Sequence, residues 1–176
     1  GRGFVFYGSF VVAVPAMIMF FRKNKLDTYR MLDVMAITTC LVHMFGRMGC
    51  FLAGCCHGKP TESPIGVTYS DPRCYADPLD TPLFPTQLME AGSIFVIMVV
   101  LLFARDRRTF YGQLFLSYLF LYAVVRFVLE FFRGDEERGL ILGAISHSQI
   151  IALGIAVIAA ILYGRWSRSV PVLKTR

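Results

Sequence analysis

Residues 109–132 read TFYGQLFLSYLFLYAVVRFVLEFF, and Thr109 to Val125 carry no charge. At 1.5 Å per residue, that uncharged run makes about 26 Å of helix, close to the roughly 30 Å hydrocarbon thickness of a bilayer. A helix on a water-exposed surface would show a polar stripe along this length, and none is present. Working outward, Gly3 to Phe21, Ala91 to Ala104 and Gly139 to Gly164 are also free of charge, and Met31 to Phe45 is interrupted only by Asp33 and His43. The chain of 176 residues is 56% hydrophobic and 17% charged, against roughly 25% charged for an ordinary globular protein. These figures exclude a soluble enzyme with a conventional core, a disordered chain and a nucleic-acid binder, despite the net charge of +6. The expected fold is all-α: a single polytopic membrane bundle over residues 1–176, with about five transmembrane helices.

The basic residues set an orientation. Arg22, Lys23, Lys25 and Arg30 fill one gap, Arg105, Arg107 and Arg108 another, and Arg165, Arg168, Lys174 and Arg176 a third. These are alternate gaps, and the positive-inside rule makes their side cytoplasmic. The start of the chain, a loop over residues 46–84 and the stretch 133–147 then face outward. The second span is the weak one, because it is short and carries Asp33 near its inner end, and a tilted or partly re-entrant segment is expected. Gly1 reads as an interior start, with one or more spans expected upstream.

Polar residues that intrude on these runs mark a site. Tyr118, Tyr122, Arg126 and Glu130 recur every four residues and share one helical face. Arg126 falls about 23 Å along its helix, in the outer third of the bilayer, where a charge marks a site or a buried pair. Arg-before-Glu is the poorer order for a local pair, so Arg126 is expected to reach beyond Glu130. Tyr7, Arg47 and Glu90 lie at the same depth on three other segments. Two arginines there suit a phospholipid headgroup, since guanidinium forks two phosphate oxygens and keeps its charge.

The outer loop opens with Gly46-Arg47-Met48-Gly49-Cys50 and continues to Gly54-Cys55-Cys56-His57. Its glycines allow a sharp turn or close approach to a ligand. The cysteine spacing is not that of a zinc ribbon or finger, and vicinal Cys55 and Cys56 do not easily share one tetrahedral ion, so no metal is expected. With Cys74 these make four cysteines on one face, and a disulfide among them is favoured, its pairing open. Cys40, inside the second span, reads as inert packing, and His57 and His147 as surface residues. Leu52-Ala53-Gly54-Cys55 spells a lipobox, but it follows an earlier span and Arg47, which makes the match a coincidence.

Several blocks together resemble the prolipoprotein diacylglyceryl transferase family. They are Phe6-Tyr7-Gly8-Ser9, Gly46-Arg47-Met48-Gly49, Phe84-Pro85-Thr86-Gln87-Leu88-Met89-Glu90, Tyr122 with Arg126-Phe127 and Glu130 through Asp135, and Ser148-Gln149, in the family's order. The resemblance implies a multi-pass protein of the bacterial plasma (inner) membrane with its site toward the outer leaflet. It implies transfer of diacylglyceryl from phosphatidylglycerol to the lipobox cysteine of a prolipoprotein signal peptide, without cofactor or nucleic acid. It gives Arg47 and Arg126 the headgroup phosphate and Tyr122 and Tyr7 supporting catalytic places. Gly8, Gly46, Gly49, Gln87, Glu90 and Glu130 become substrate-binding positions. Three departures stand out: Tyr7 replaces a histidine proposed as base, Cys50 and Cys55 replace polar residues, and Phe84-Pro85-Thr86-Gln87 replaces a His-Pro-Ser-Gln block. A non-catalytic or divergent phospholipid-binding paralogue is the alternative, and a small transporter or channel subunit a more distant one.

Overall fold

The computed structural model describes residues 4–133, 140–141 and 145–169, with the side chains of 4–11, 14, 140–141 and 145 outside that description, so the expectations resting on the side chain of Tyr7 and on the surroundings of Gly8 fall beyond the described residues. Five α-helices follow one another: α1 (Phe4–Lys23), α2 (Thr28–Ala53), α3 (Thr86–Arg105), α4 (Gln113–Leu129) and α5 (His147–Ser169). A 3-10 turn, Glu130–Phe132, extends α4. Strands are minimal: β1 (Val67–Thr68) pairs antiparallel with β2 (Pro82–Leu83), and β3 (Leu140–Ile141) with β4 (Ile145–Ser146). Among the described residues, α2, α3, α4 with its 3-10 turn, and α5 are long and apolar enough to cross a membrane. The fifth helix, α1, has 20 residues, which is also about 30 Å.

Burial is inverted relative to a soluble domain. Asp33, Gln87, Glu90 and Gln149 are buried, while Val42, Phe103 and Leu153 are well exposed. Polar groups gather inside and apolar side chains face out because the surrounding phase is hydrocarbon. The core joins α2, α3 and α4 through Ala36, Cys40, Ile94, Ile97, Leu101, Leu114 and Tyr118. Cys40 is fully buried there as a free thiol, as its place in the span suggested.

The expectation of a short, re-entrant second span is overturned. At 26 residues α2 is the longest of the five helices. Asp27 opens it, its carboxylate accepting from the Tyr29 and Arg30 amides, as a good N-cap does. Asp33 is no defect in the span. Its carboxylate accepts from the amides of Gly112 (3.0 Å), Leu114 (2.9 Å) and Phe115 (3.2 Å), and Arg108 lies 3.6 Å away. The start of a helix has four N–H groups with no partner of their own, and Asp33 caps α4 from a neighbouring helix.

That contact belongs to a latch at one end of the bundle. Tyr29 meets Trp166 edge-on at 4.8 Å, and Arg30 and Arg108 both lie over the Tyr111 ring. Gln113 donates to the Tyr163 hydroxyl at 2.9 Å. The hairpin between α1 and α2, the turn between α3 and α4, and the last turns of α5 therefore meet at one end, bringing together the basic gaps seen in the sequence.

The loop also begins later than expected. Gly46 to Ala53 are the last two turns of α2, and the loop starts at Gly54. A glycine is tolerated in a membrane helix, so Gly46 and Gly49 did not mark a turn. Gly54 does: it ends α2 at φ 73°, in the left-handed region. The loop then runs in the cleft between the start of α3 and the end of α4. The Gly58 amide donates to the Phe84 carbonyl (2.8 Å) and the Lys59 amide to the Phe132 carbonyl (3.0 Å). A Cβ on Gly58 would collide with the Phe132 carbonyl and stand 2.7 Å from Phe84 Cβ. Only glycine fits that crossing.

Candidate functional site

At the end opposite the aromatic latch, two helices point polar side chains at a carboxylate carried by a third. Glu90 lies on the second turn of α3 and is buried. Its Oε1 accepts from Arg47 Nη2 on α2 (3.0 Å) and from the Tyr122 hydroxyl on α4 (2.8 Å). His43, one turn before Arg47 on the same face of α2, brings Nε2 to 3.5 Å from the same oxygen. The His43 ring packs edge-on against Tyr122 at 5.0 Å, and Tyr122 stacks on Tyr118 at 5.9 Å. A carboxylate buried this deeply requires such partners, since its desolvation is otherwise uncompensated.

The expected meeting of Arg47, Glu90 and Tyr122 is therefore a direct one. Arg126 stands beside it, within electrostatic reach of both Glu90 and Tyr122. Its ion pairing differs from expectation: Arg126 Nη2 lies 2.8 Å from Glu130 Oε2, the local pair that its sequence order disfavoured. Glu130 is held in place by the Ser146 hydroxyl, which donates to Oε1 at 2.9 Å. That order preference reflects the helix dipole at exposed sites, and a buried carboxylate fixed from another element overrides it.

Each arginine retains capacity for a ligand. Arg47 Nε and Arg126 Nη1 are buried N–H groups with no hydrogen-bond partner among the described residues. Guanidinium groups cannot shed their charge, and an orphan N–H on each costs stability unless an acceptor arrives. Two such donors on neighbouring helices suit an anion with several oxygens, such as a phosphate diester.

The remaining expected positions divide. A Cβ on Gly46 or Gly49 would meet nothing within 4 Å, so this face of α2 is open beside Arg47. Gln87 is buried and turned to the loop, its Nε2 donating to the Cys55 carbonyl at 2.8 Å. Glu130 is committed to Arg126 and Ser146. Gln149 caps its own helix, its Oε1 accepting from the Ser146 amide at 3.0 Å. His57 is held between the Gly58 carbonyl (3.0 Å) and the Asp77 amide (3.4 Å). The residue that sequence reasoning missed is His43. Its spacing of four from Arg47 was the available signal.

No disulfide joins the cysteines: all five are free thiols. The sulfurs of Cys50, Cys55 and Cys56 lie within 4.8 Å of one another, although the vicinal pair was not expected to share one tetrahedral ion easily. Burial, with the neighbouring Cys56 and Cys50 thiols, pushes the Cys55 thiol up to about 12. At neutral pH it stays protonated, which makes it a poor nucleophile.

Comparison with known proteins agrees with this architecture. The sequence model of the family described as prolipoprotein diacylglyceryl transferase matches residues 1–165. A phosphatidylglycerol–prolipoprotein diacylglyceryl transferase of Clostridium tetani is 35% identical over 163 residues, covering 93% of this chain and 64% of the relative. A protein of Clostridium perfringens, named as the second such transferase, is 34% identical, with 93% and 62% covered. One of Wolinella succinogenes is 32% identical over 165 residues, with 93% and 57% covered. The chain thus spans about three-fifths of the length of these relatives. With four helices among the described residues long and apolar enough to cross a bilayer and a family match over residues 1–165, the chain belongs to the prolipoprotein diacylglyceryl transferase family of multi-pass bacterial membrane proteins.

Proposed function

We propose that this chain carries the site at which phosphatidylglycerol gives its diacylglyceryl group to the lipobox cysteine of a prolipoprotein. The observation that carries the proposal is the pair of half-buried arginines, each with a buried N–H that has no partner among the described residues, beside the Glu90–Tyr122 pair. In the reaction the acceptor's sulfur attacks the glycerol carbon that bears the phosphate ester. A C–S bond forms, the C–O bond breaks, and glycerol phosphate leaves with the bonding electrons. Arg47 and Arg126 stabilise the charge that grows on the departing phosphate, most strongly in a site poor in water. Glu90 and Tyr122 fix Arg47 in direction, because a guanidinium held on one edge presents its other edge to the ligand.

The thiol proton needs an acceptor, and His43 is our candidate for that role. Imidazole can accept a proton at one ring nitrogen while a carboxylate at the other stabilises the imidazolium so formed. His43 meets Glu90 in this way and supplies, from α2, the base that the family's histidine would give where this chain has Tyr7. We further place the site toward the outer leaflet. Support comes from the basic clusters at the opposite end, which the positive-inside rule puts in the cytoplasm.

The test is transfer of labelled diacylglycerol to a lipobox peptide, using full-length protein in membranes of cells depleted of their own transferase. Wild type should transfer. Loss of at least a hundredfold is expected for His43→Ala and for Arg47→Ala with the proteins still folded. A wild type that binds phosphatidylglycerol without transferring it would replace the proposal with the non-catalytic lipid binder.

A further inference from the structure

We infer that Cys50, Cys55 and Cys56 form a three-thiolate binding site for a thiophilic d10 cation of the zinc class, at the outer edge of the headgroup site. Their spacing matches no zinc-finger pattern; the site is made by the way α2 ends. Cys50 lies in the last turn of α2, and Gly54 turns the chain back at φ 73°. The Cys55 amide then donates to the Cys50 carbonyl at 3.1 Å, which sets the two residues side by side. Cys56 takes φ 62°, the left-handed region that a residue with a side chain rarely adopts. That bend returns the vicinal sulfur to the others, and the three lie within 4.8 Å. A tetrahedral ion with metal–sulfur bonds of about 2.3 Å holds its sulfurs about 3.8 Å apart, a spacing that small side-chain rotations reach from here.

The neighbouring structure supports a preorganised site. Buried Thr86 donates its hydroxyl to the Cys56 carbonyl at 2.9 Å, and buried Gln87 its amide to the Cys55 carbonyl at 2.8 Å. An unfavourable backbone geometry persists where its surroundings over-determine it, and such places are often functional. His57 supplies no ligand, since both ring nitrogens are engaged. Cys74 packs against Gly54, outside the trio. Three ligands leave the fourth position of a tetrahedral ion open.

Charge balance is provided as well. Three thiolates on a divalent ion carry a net charge of −1. Arg47 is electrostatically coupled to Cys50 and Cys56 and has its buried Nε–H free of any hydrogen-bond partner among the described residues. Binding replaces three S–H bonds by three metal–sulfur bonds and releases three protons to solvent; no electrons move. An ion here draws on the same guanidinium that we assign to the phosphate, so it tunes the field felt by the headgroup.

The experiment uses full-length protein in detergent, reduced, stripped with a chelator, and titrated with Co2+ alone. One Co2+ per chain should bind with thiolate-to-metal charge transfer and the visible bands of a four-coordinate ion, and one equivalent of Zn2+ should bleach them. Cys50→Ser, Cys55→Ser and Cys56→Ser should each weaken binding at least tenfold, whereas Cys74→Ser and Cys40→Ser should leave it unchanged. As a check that needs no variant, Zn2+ should protect the three wild-type cysteines from maleimide. Absence of charge transfer, its survival in all three serine variants, or absent protection would each overturn the inference. So would a disulfide within the trio trapped in protein purified without reductant, which would make the cluster a redox pair. Neither lipid nor transfer activity enters these measurements, so they stand apart from the proposed function.

Discussion

Replacing Glu90 by glutamine tests the geometry of the site most directly. The amide keeps the shape and an oxygen where Oε1 now accepts from Arg47 at 3.0 Å and Tyr122 at 2.8 Å, but it removes the charge. Hydrogen bonds to a charged group contribute about 1.5–3 kcal/mol each and neutral ones about 0.5–1.5. Two such bonds therefore lose about 2–3 kcal/mol together. Removing one member of a buried ion pair costs about 3–5 kcal/mol, because the other charge is stranded. The glutamine dipole softens that, so about 3 kcal/mol is expected. Arg47→Met should be costly in wild type and far less so beside Glu90→Gln, with a coupling of about 2 kcal/mol. Reversible unfolding in mixed micelles of the wild type, the two single variants and the double variant measures it. Independent sites add within about 0.5 kcal/mol. Additivity to that limit would show that Glu90 does not hold Arg47, and the assignment of Glu90 as the organiser of the site would fail.

Four further outcomes follow from the same contacts. Arg47→Lys and Arg126→Lys should lower diacylglyceryl transfer nearly as far as the alanine variants, since lysine keeps the charge and loses the fork; full activity in either lysine variant would make that arginine a simple structural charge. Asp33→Ala strands three amides at the start of α4 and should destabilise by about 3 kcal/mol, with Asp33→Asn costing about 1, both read from micelle unfolding; an alanine variant as stable as wild type would refute the cap. Gly58→Ala should cost about 2–3 kcal/mol through overpacking and make the loop easier to cleave with protease, and unchanged cleavage would remove the crossing at Phe84 and Phe132 as the loop's anchor. Reporter fusions near Lys25 and Arg107 should lie in the cytoplasm and one near Thr61 outside; Thr61 in the cytoplasm would reverse the proposed orientation.

The spans were legible in the sequence because hydrocarbon tolerates so few charges that uncharged runs stand out. What misled was each place where a partner lies far along the chain. Asp33 looked like a flaw in α2, since nothing in a local window shows amides about 80 residues later donating to it. Gly46 and Gly49 suggested a loop through rules learned in water, where glycine weakens a helix. Arg47, Glu90 and Tyr122 could be brought together by depth alone. Gln87 had a place only through the resemblance, and its bond to the backbone carbonyl of Cys55 is one that no side-chain pattern announces. The cysteine trio was hidden for a related reason: spacing patterns do not encode a left-handed cap at Gly54 or a positive φ at Cys56.

The trans cap of α4 also has a history in time. Asp33 and the first amide it accepts, that of Gly112, are 79 residues apart. At about 5–20 residues synthesised per second, the ribosome delivers that partner about 4–16 s after Asp33 itself. Through that interval α2 carries a carboxylate with no amide to receive it, a few turns from a basic, water-facing end. When α4 does emerge, its N-cap is Gly112, which has no side chain to satisfy those amides, so the acceptor they use is one already made. One carboxylate thus ties the start of α4 to a helix synthesised well before it.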